Sequence, residues 1–318
     1  MRKGAYIGVS GIARKITKGY IGVSGVARKI KKAYIGIGGV ARPSWSSGLE
    51  YYGTIAALSV ARSYLAATTV GNYALFGGGS SDKDTVDAYD TSLTRSTPTV
   101  LSVARSSLAA TTVGNYALFG GGGYYKDTVD AYDTSLTRST PTVLSVARSY
   151  LAATTVSNYA LFGGGIKSNI RHNRVDAYDT SLTRTTATSL STTRSSLAAT
   201  TVGNYALFGG GNYIDGDNTV DAYDTSLTRT TPTTLSAYQS YLAATTVGNY
   251  ALFGGGVDNG DNKNVVNAYD TSLTRTIATP LSTARSGLAA TTVGNYALFG
   301  GGGYDSGTKD TVDAYVIY

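Results

Sequence analysis

Cysteine is absent from this 318-residue chain, which excludes a disulfide framework and any thiolate-held metal. Histidine and tryptophan occur once each, so a redox or metal centre built on several imidazoles is excluded as well. Charged residues make up only 15% of the chain, and no run approaches the roughly 20 apolar residues that cross a bilayer. No membrane contact is expected on that ground. No secretory signal is expected either, because the positive N-terminus leads into no continuous apolar segment. Acid is missing from one end of the chain. Residues 1–49 carry ten cations and no acid, so a net charge of +7 leaves −3 for residues 50–318. That asymmetry implies two modules with different surfaces, 1–47 and 48–318.

Glycine (40) and tyrosine (26) are abundant, and both recur on a period. The string NYALFGGG begins at Asn72, Asn115, Asn158, Asn204, Asn249 and Asn295, and VDAYD follows each copy, decaying to VNAYD at Val266 and VDAYV at Val312. Between the last Gly of each GGG and that Val lie 6, 6, 9, 8, 9 and 9 residues. All variation in repeat length sits in this one loop. The remaining scaffold reads as four short strands: SYLAATTV (63–70), NYALF, TVDAYD (85–90) and TRSTPTVL (94–101), the last carrying a Pro suited to an edge. No helical apolar stripe interrupts residues 50–318. Six units of four strands predict an all-β, six-bladed propeller.

The ends carry a further signal. The sixth unit stops at Tyr318 within its third strand, while GTIAALSVARS (53–63) matches STPTVLSVARS (96–106) in register. The N-terminal segment is therefore expected to supply the missing strand of the last blade, removing an exposed sheet edge.

Each unit resembles a kelch repeat, with an Arg before the first strand (Arg62, Arg105, Arg148, Arg194, Arg285), a glycine run after the second and a Tyr-Asp pair closing the third. The fifth unit departs with Gln239, and the Trp usual in kelch fourth strands is missing throughout. The resemblance implies the propeller fold over residues 50–318.

Ahead of it stand three copies of a 14-residue unit, AYIGVSGIARKITK (5–18), GYIGVSGVARKIKK (19–32) and AYIGIGGVARPSW (33–45). Each reads as a β-hairpin. Hairpins this small bury little, so a partner surface or a homo-oligomer is needed to make them rigid. Tyrosines Tyr6, Tyr20 and Tyr34 share the period of the cations. A hairpin with a charged face and tyrosines packed on the other is preferred to a nucleic-acid track. Basic AYIG–GVARK arrays resemble leading segments of tail-associated structural proteins in phages of Gram-positive bacteria. The resemblance implies a virion protein, made in the host cytoplasm and anchored to other virion proteins through Arg14, Lys15, Arg28, Lys29, Lys31 and Lys32.

Motifs with catalytic overtones read as structure. Three glycines followed by a strand, six times over, do not make a phosphate-binding loop, which needs a helix N-terminus. Asp87, Asp130, Asp176, Asp221 and Asp313 recur one per blade and so are spread around a ring rather than paired. His172 lies in the basic loop IKSNIRHNR (166–174), with no acidic orienter nearby in sequence. Asp215-Gly216-Asp217-Asn218 and Asp258-Asn259-Gly260-Asp261-Asn262 lack the spacing and distal Glu of a calcium loop, and turn chemistry explains their composition. No enzyme activity, metal or cofactor is expected.

Strand alternation places the variable loops on the same face as the links between blades. On those links one position also varies: Tyr64, Ser107, Tyr150, Ser196, Tyr241 and Gly287, with Tyr238 an extra in the fifth. The loops are rich in Tyr, Ser, Gly, Asn and Asp, the mixture of adaptable binding surfaces. Candidate ligand contacts are Tyr64, Tyr124, Tyr125, Tyr150, Lys167, Arg171, His172, Tyr213, Tyr238, Tyr241, Asp258 and Tyr304. The reading is a host-recognition adhesin whose propeller binds a bacterial surface glycan or protein. A scaffold or decoration protein without ligand is the alternative, and a carbohydrate-processing enzyme, lacking a non-repeated acid pair, the third.

Overall fold

The computed structural model describes residues 55–212, 216–293, 295–303 and 307–316, together with the strand backbones between residues 6 and 46. The chain divides into two compact units, Met1–Ile55 and Ala56–Tyr318. No helix occurs among the described residues, and none is long and apolar enough to cross a membrane.

The first unit holds three separate antiparallel hairpins: Tyr6–Val9 with Ile12–Lys15, Gly19–Val23 with Val26–Ile30, and Lys32–Ile37 with Val40–Ser46. The register sets Tyr6 opposite Lys15 and Tyr20 opposite Lys29. Directly opposed positions share one face of a ribbon. The expected division into a charged face and a tyrosine face concerns side chains that lie outside the described residues. The third hairpin breaks register between Ala33 and Tyr34, beside Pro43, whose missing N–H suits an irregular pair.

The second unit is six antiparallel sheets arranged as a β-propeller. Each first strand repeats AATTV (Ala66–Val70 in the first blade), each second strand YALFG (Tyr73–Gly77), and each third strand begins at the Val of VDAY (Val86–Tyr89). Fourth strands are shorter than the expected eight residues, and proline sets their length. Arg95–Ser96, Arg138–Ser139 and Arg229–Thr230 stop two residues before Pro98, Pro141 and Pro232. Where Ala187 and Ala278 occupy that position, the strand runs over four residues, Arg184–Ala187 and Arg275–Ala278. Without an amide N–H, proline cannot donate to the ladder as Ala187 can opposite Val175.

The core lies between blades rather than within them. Phe119, fully buried, packs with Leu75, Val86 and Leu108 across the interface of blades one and two, and burial of such a ring stabilises by about 3 kcal/mol. Four further interfaces repeat the cluster. The glycine run is explained here. A Cβ on Gly77 would lie 2.8 Å from the Phe119 ring, and one on Gly78 would lie 2.5 Å from the Arg105 carbonyl oxygen. Gly78 also takes φ +72°, a conformation closed to most side chains. Near the axis, Thr68 shares a hydroxyl hydrogen bond with Thr112, Thr111 with Thr155, and so on to Thr245 with Thr292.

Every blade holds its incoming link by one buried side chain. Arg105, with no exposed surface, donates to Asp130 at 2.7 Å and to the Phe119 carbonyl at 3.0 Å. Arg62–Asp87, Arg148–Asp176, Arg194–Asp221 and Arg285–Asp313 are equivalent. The fifth blade replaces both partners together. Asn267 donates to the Gln239 side-chain oxygen at 3.1 Å, and Gln239 donates to the Gly255 carbonyl. The two departures visible in the fifth repeat are thus one compensated change.

Residues 55–63 form no strand. They lie against the first blade as every other link lies against its own: Tyr89 donates to the Ala56 carbonyl, Ser59 to Asp87, and Arg62 to the Phe76 carbonyl. By repeat register, the residues equivalent to Arg95–Ser96 are Tyr52 and Gly53, so the expected completion of the last blade falls outside the described residues. The sixth sheet has three described strands, Ala289–Val293, Tyr296–Gly300 and Val312–Val316. Between this blade and the first, the described residues make none of the staples found at the other five interfaces. Ala67, Thr69, Ala289 and Thr291 are exposed there.

Placing a lone guanidinium in the fifth blade tests the pairing rule. Gln239→Arg alone should cost about 3–5 kcal/mol, the typical cost of an unpaired buried charge, and Gln239→Arg with Asn267→Asp should recover most of it. Equilibrium denaturation of the four forms of the cycle measures the coupling, and additive effects would contradict the pairing.

Candidate ligand-binding face

The two faces of the propeller are built differently. One carries the turns between third and fourth strands, where Asp90 Oδ1 accepts from the Ser92 hydroxyl and from the Ser92 and Thr94 amides. Those hydrogen bonds, the serine hydroxyl foremost, hold the carboxyl below its ordinary value. Asp133, Asp179, Asp224 and Asp270 repeat the turn. Leu136, at φ +63°, accepts left-handed strain while packing against the core. This face is uniform over the first five blades.

The other face gathers the links and the variable loops. Each loop is stapled to its link by backbone bonds, such as Gly123 N–H to the Ser106 carbonyl and Ile166 N–H to the Ser149 carbonyl. At its centre, the link position that changes between tyrosine, serine and glycine forms a chain of backbone hydrogen bonds. Ser107 donates to Tyr64, Tyr150 to Ser107, Ser196 to Tyr150, Tyr241 to Ser196, and Gly287 to Tyr241, at 2.8–3.1 Å. All six residues are left-handed, with φ from +51° to +63°. Large and small side chains alternate along this rim. Tyr150 and Tyr241 meet edge to face over the intervening Ser196, their centroids 6.4 Å apart, a favourable aromatic geometry.

Left-handed backbone costs a bulky residue of order 1–2 kcal/mol that glycine would not incur. Leu136 recovers this by burial. Tyr64 is 63% exposed and has no such return within the fold. A strained residue with an exposed side chain points to a role outside stability.

A depression of about 410 Å³ opens beside Ser107, within the size range of small-ligand sites. Ser81 and Asp82 of the first loop, Tyr124 and Tyr125 of the second, and Ile166 and Asn169 of the third wall it. Link residues Ser106, Ser107, Ser149 and Tyr150 contribute the remainder with Gly123. The Ser106 hydroxyl donates to Asp82 at 3.1 Å and fixes the carboxylate.

The expected contact residues divide among several places. Tyr124, Tyr125 and Tyr150 converge on the depression, Tyr150 also meeting Tyr241, and Tyr64 stands on the rim. Tyr238, 49% exposed, lies over Gly216 of the fourth loop. Tyr213 and Tyr304 lie outside the described residues, as does Lys31 of the anchoring set, and the other anchoring side chains are also undescribed. Lys167 and Arg171 belong to a hairpin within the third loop, Ile166–Lys167 paired with Ile170–Arg171 about Ser168 and Asn169, both left-handed. Asp258 lies in its counterpart in the fifth loop, Val257–Asp258 with Asp261–Asn262 about Asn259-Gly260, and sits 3.7 Å from Lys263. Both turns match two-residue hairpin chemistry. Sequence reading took these segments for plain loops, although Asn-Gly was the available signal. Ser81, Asp82, Ser106, Ser149 and Asn169 were missed because their role depends on which loops meet.

His172 serves as a staple through its backbone. Its carbonyl accepts from Arg194 N–H, as Lys83 accepts from Arg105 and Lys126 from Arg148. Burial and the neighbouring Arg148, Lys167 and Arg174 cations lower its pKa below 6.5. The recurrent aspartates are likewise committed: Asp87, Asp130, Asp176 and Asp221 have no exposed surface and are paired to arginine. Asp217, in one calcium-like loop, accepts from Thr192 and lies 3.7 Å from Arg194.

No protein-family model matches the chain, and no curated protein matches it. Among solved structures it is similar to that of YjhT, with TM-score 0.68 and 12% identity over 83% of this chain and 97% of that one. At that identity the likeness extends to the propeller fold alone.

Because the chain has one histidine, its imidazole titration is unambiguous. The His172 resonance should titrate with a midpoint below 6.5 and stay neutral at pH 7. A midpoint above 6.5 by NMR would mean that a carboxylate reaches the ring.

Proposed function

We propose that this chain is a non-enzymatic recognition protein of a phage particle, with a kelch-type propeller that binds a bacterial surface glycan or protein through its diversified face. The observation that carries the reading is the coincidence of three features on one face: the loops that vary in length, a link position that changes between tyrosine, serine and glycine, and exposed tyrosines in strained backbone. Drift after duplication would spare neither face. Rigid aromatic side chains beside small polar ones suit binding at low entropic cost. The basic 14-residue units support the other half of the proposal, attachment to further virion proteins through Arg14, Lys15, Arg28, Lys29, Lys31 and Lys32. Their cations favour an acidic docking surface.

One observation favours a second reading, a decoration or scaffold protein without ligand. The seam between the last and first blades leaves Val312 60% exposed and Thr69 uncovered, surfaces that assembly would bury.

Cell binding by the full chain separates the two. Tyr150→Ser with Tyr241→Ser should weaken attachment to host cells at least tenfold, whereas Ser135→Lys on the uniform face should leave it unchanged. Equal binding by all three proteins would remove the diversified face from recognition.

A further inference from the structure

The rim and the depression together define a ligand class, an inference that rests on the diversified face being a binding surface. Tyrosines occupy alternate rim positions, Tyr64, Tyr150 and Tyr241, separated by Ser107, Ser196 and Gly287. The gap at Ser196 is covered, since the Tyr150 and Tyr241 rings close over it. The gap at Ser107 is not, and there the depression opens.

Three properties of its lining select an occupant. First, about 410 Å³ suits a small ring system, while a protein partner would cover about 800 Å² of surface. Second, Asp82 is the one charged residue in the lining. Phosphate, sulfate and carboxylate groups would meet an anion with no opposing cation, an unfavourable placement. Third, Tyr124, Tyr125 and Tyr150 bring aromatic surface beside serine hydroxyls, the Asn169 amide and a carboxylate fixed by Ser106. Apolar ring faces interleaved with dense donors and acceptors match a pyranose, which has C–H patches and equatorial hydroxyls. Six of the eleven lining residues are non-glycine residues in left-handed backbone: Ser81, Asp82, Ser107, Tyr125, Tyr150 and Asn169. Such a concentration marks a preorganised site.

We propose that the depression at Ser107 seats one uncharged saccharide unit of a larger glycan, a neutral hexose or an N-acetylhexosamine. The Tyr150 ring lies against the sugar, and Asp82 with Ser106, Ser149 and Asn169 accepts and donates to its hydroxyls, Ser107 serving only to keep the space open. Selectivity against acidic sugars follows from Asp82.

The rim supplies its own test, because tyrosine already occupies the Ser107 backbone conformation at Tyr64 and Tyr150. Ser107→Tyr should therefore fold with an unchanged thermal transition while filling the depression. Ser107→Gly keeps the space and the backbone, as Gly287 does. On an array of neutral, sialylated and phosphorylated glycans, the full chain should bind neutral ones. Calorimetry with the best neutral oligosaccharide should show at least a tenfold loss for Ser107→Tyr and less than a threefold change for Ser107→Gly. Cell binding that survives Ser107→Tyr but fails in the Tyr150/Tyr241 variant would overturn the saccharide pocket while leaving the diversified face as the recognition surface. Binding confined to acidic glycans would overturn the ligand class. Cell binding indifferent to every variant of this face would overturn both readings.

Discussion

The buried pair between link and third strand is the interaction on which the propeller depends. A four-stranded sheet has no means of fixing where its neighbour begins. Here the guanidinium of Arg105 ties the link to the Phe119 carbonyl of the second strand and to the Asp130 carboxylate of the third. The same Asp130 accepts from the Ser102 amide and from Arg138 of the fourth strand. One carboxylate thus sets link, third strand and fourth strand together. Burying both ions carries a desolvation cost that only good geometry offsets. The fifth blade shows what the requirement is. Gln239 and Asn267 keep a hydrogen bond between link and third strand without net charge, with its direction reversed, and Gln239 reaches the Gly255 carbonyl instead of that of Phe253, so complementarity at this point is essential and ionisation is not. Changing one partner alone would strand a buried group, which is why the departure appears as a pair.

Around that pair, packing is set by what cannot be added. Phe119 meets Gly77 where any Cβ would overlap it, and the Tyr132 hydroxyl reaches the Thr99 carbonyl of the link at 2.7 Å. Burial raises the pKa of this phenol, so it remains a donor. Phe119 and Tyr132 also meet edge to face at 6.0 Å. These contacts hold the outer strands without a tryptophan, and fourth strands of two to four residues suffice.

Much of this was legible in the chain. Periodicity gave the blade count, and constant scaffold length located the variable loop, because strand spacing in a ladder tolerates no insertion. Other features were written in the sequence but needed coordinates to interpret. Pro98 was read as an edge residue, yet its larger effect is to end the strand at Ser96. Asn259-Gly260 was read as a turn, yet it nucleates a hairpin. The depression at Ser107 was not legible, since Asp82, Tyr125 and Asn169 come from the loops of three successive repeats. Nor was the seam, where the match of residues 53–63 to 96–106 implies complementarity that the described residues do not themselves complete.

The rim explains how one fold can be both rigid and diversified. Within a blade, a side chain is bounded on both sides by its neighbours, and the packing of Phe119 on Gly77 leaves no freedom. At Ser107 the constraint falls on the backbone alone, because its amide and carbonyl are both engaged in the rim while its side chain leaves the sheet stack. Glycine meets that backbone requirement without strain, as Gly287 does, so the fold by itself would favour glycine at all six positions. Five carry tyrosine or serine instead. Tyrosine at adjacent positions would crowd the mouth, as the Tyr150–Tyr241 contact across Ser196 already shows. Alternation is then the densest aromatic rim that six blades permit, and it leaves the small positions as the places where a ligand can enter.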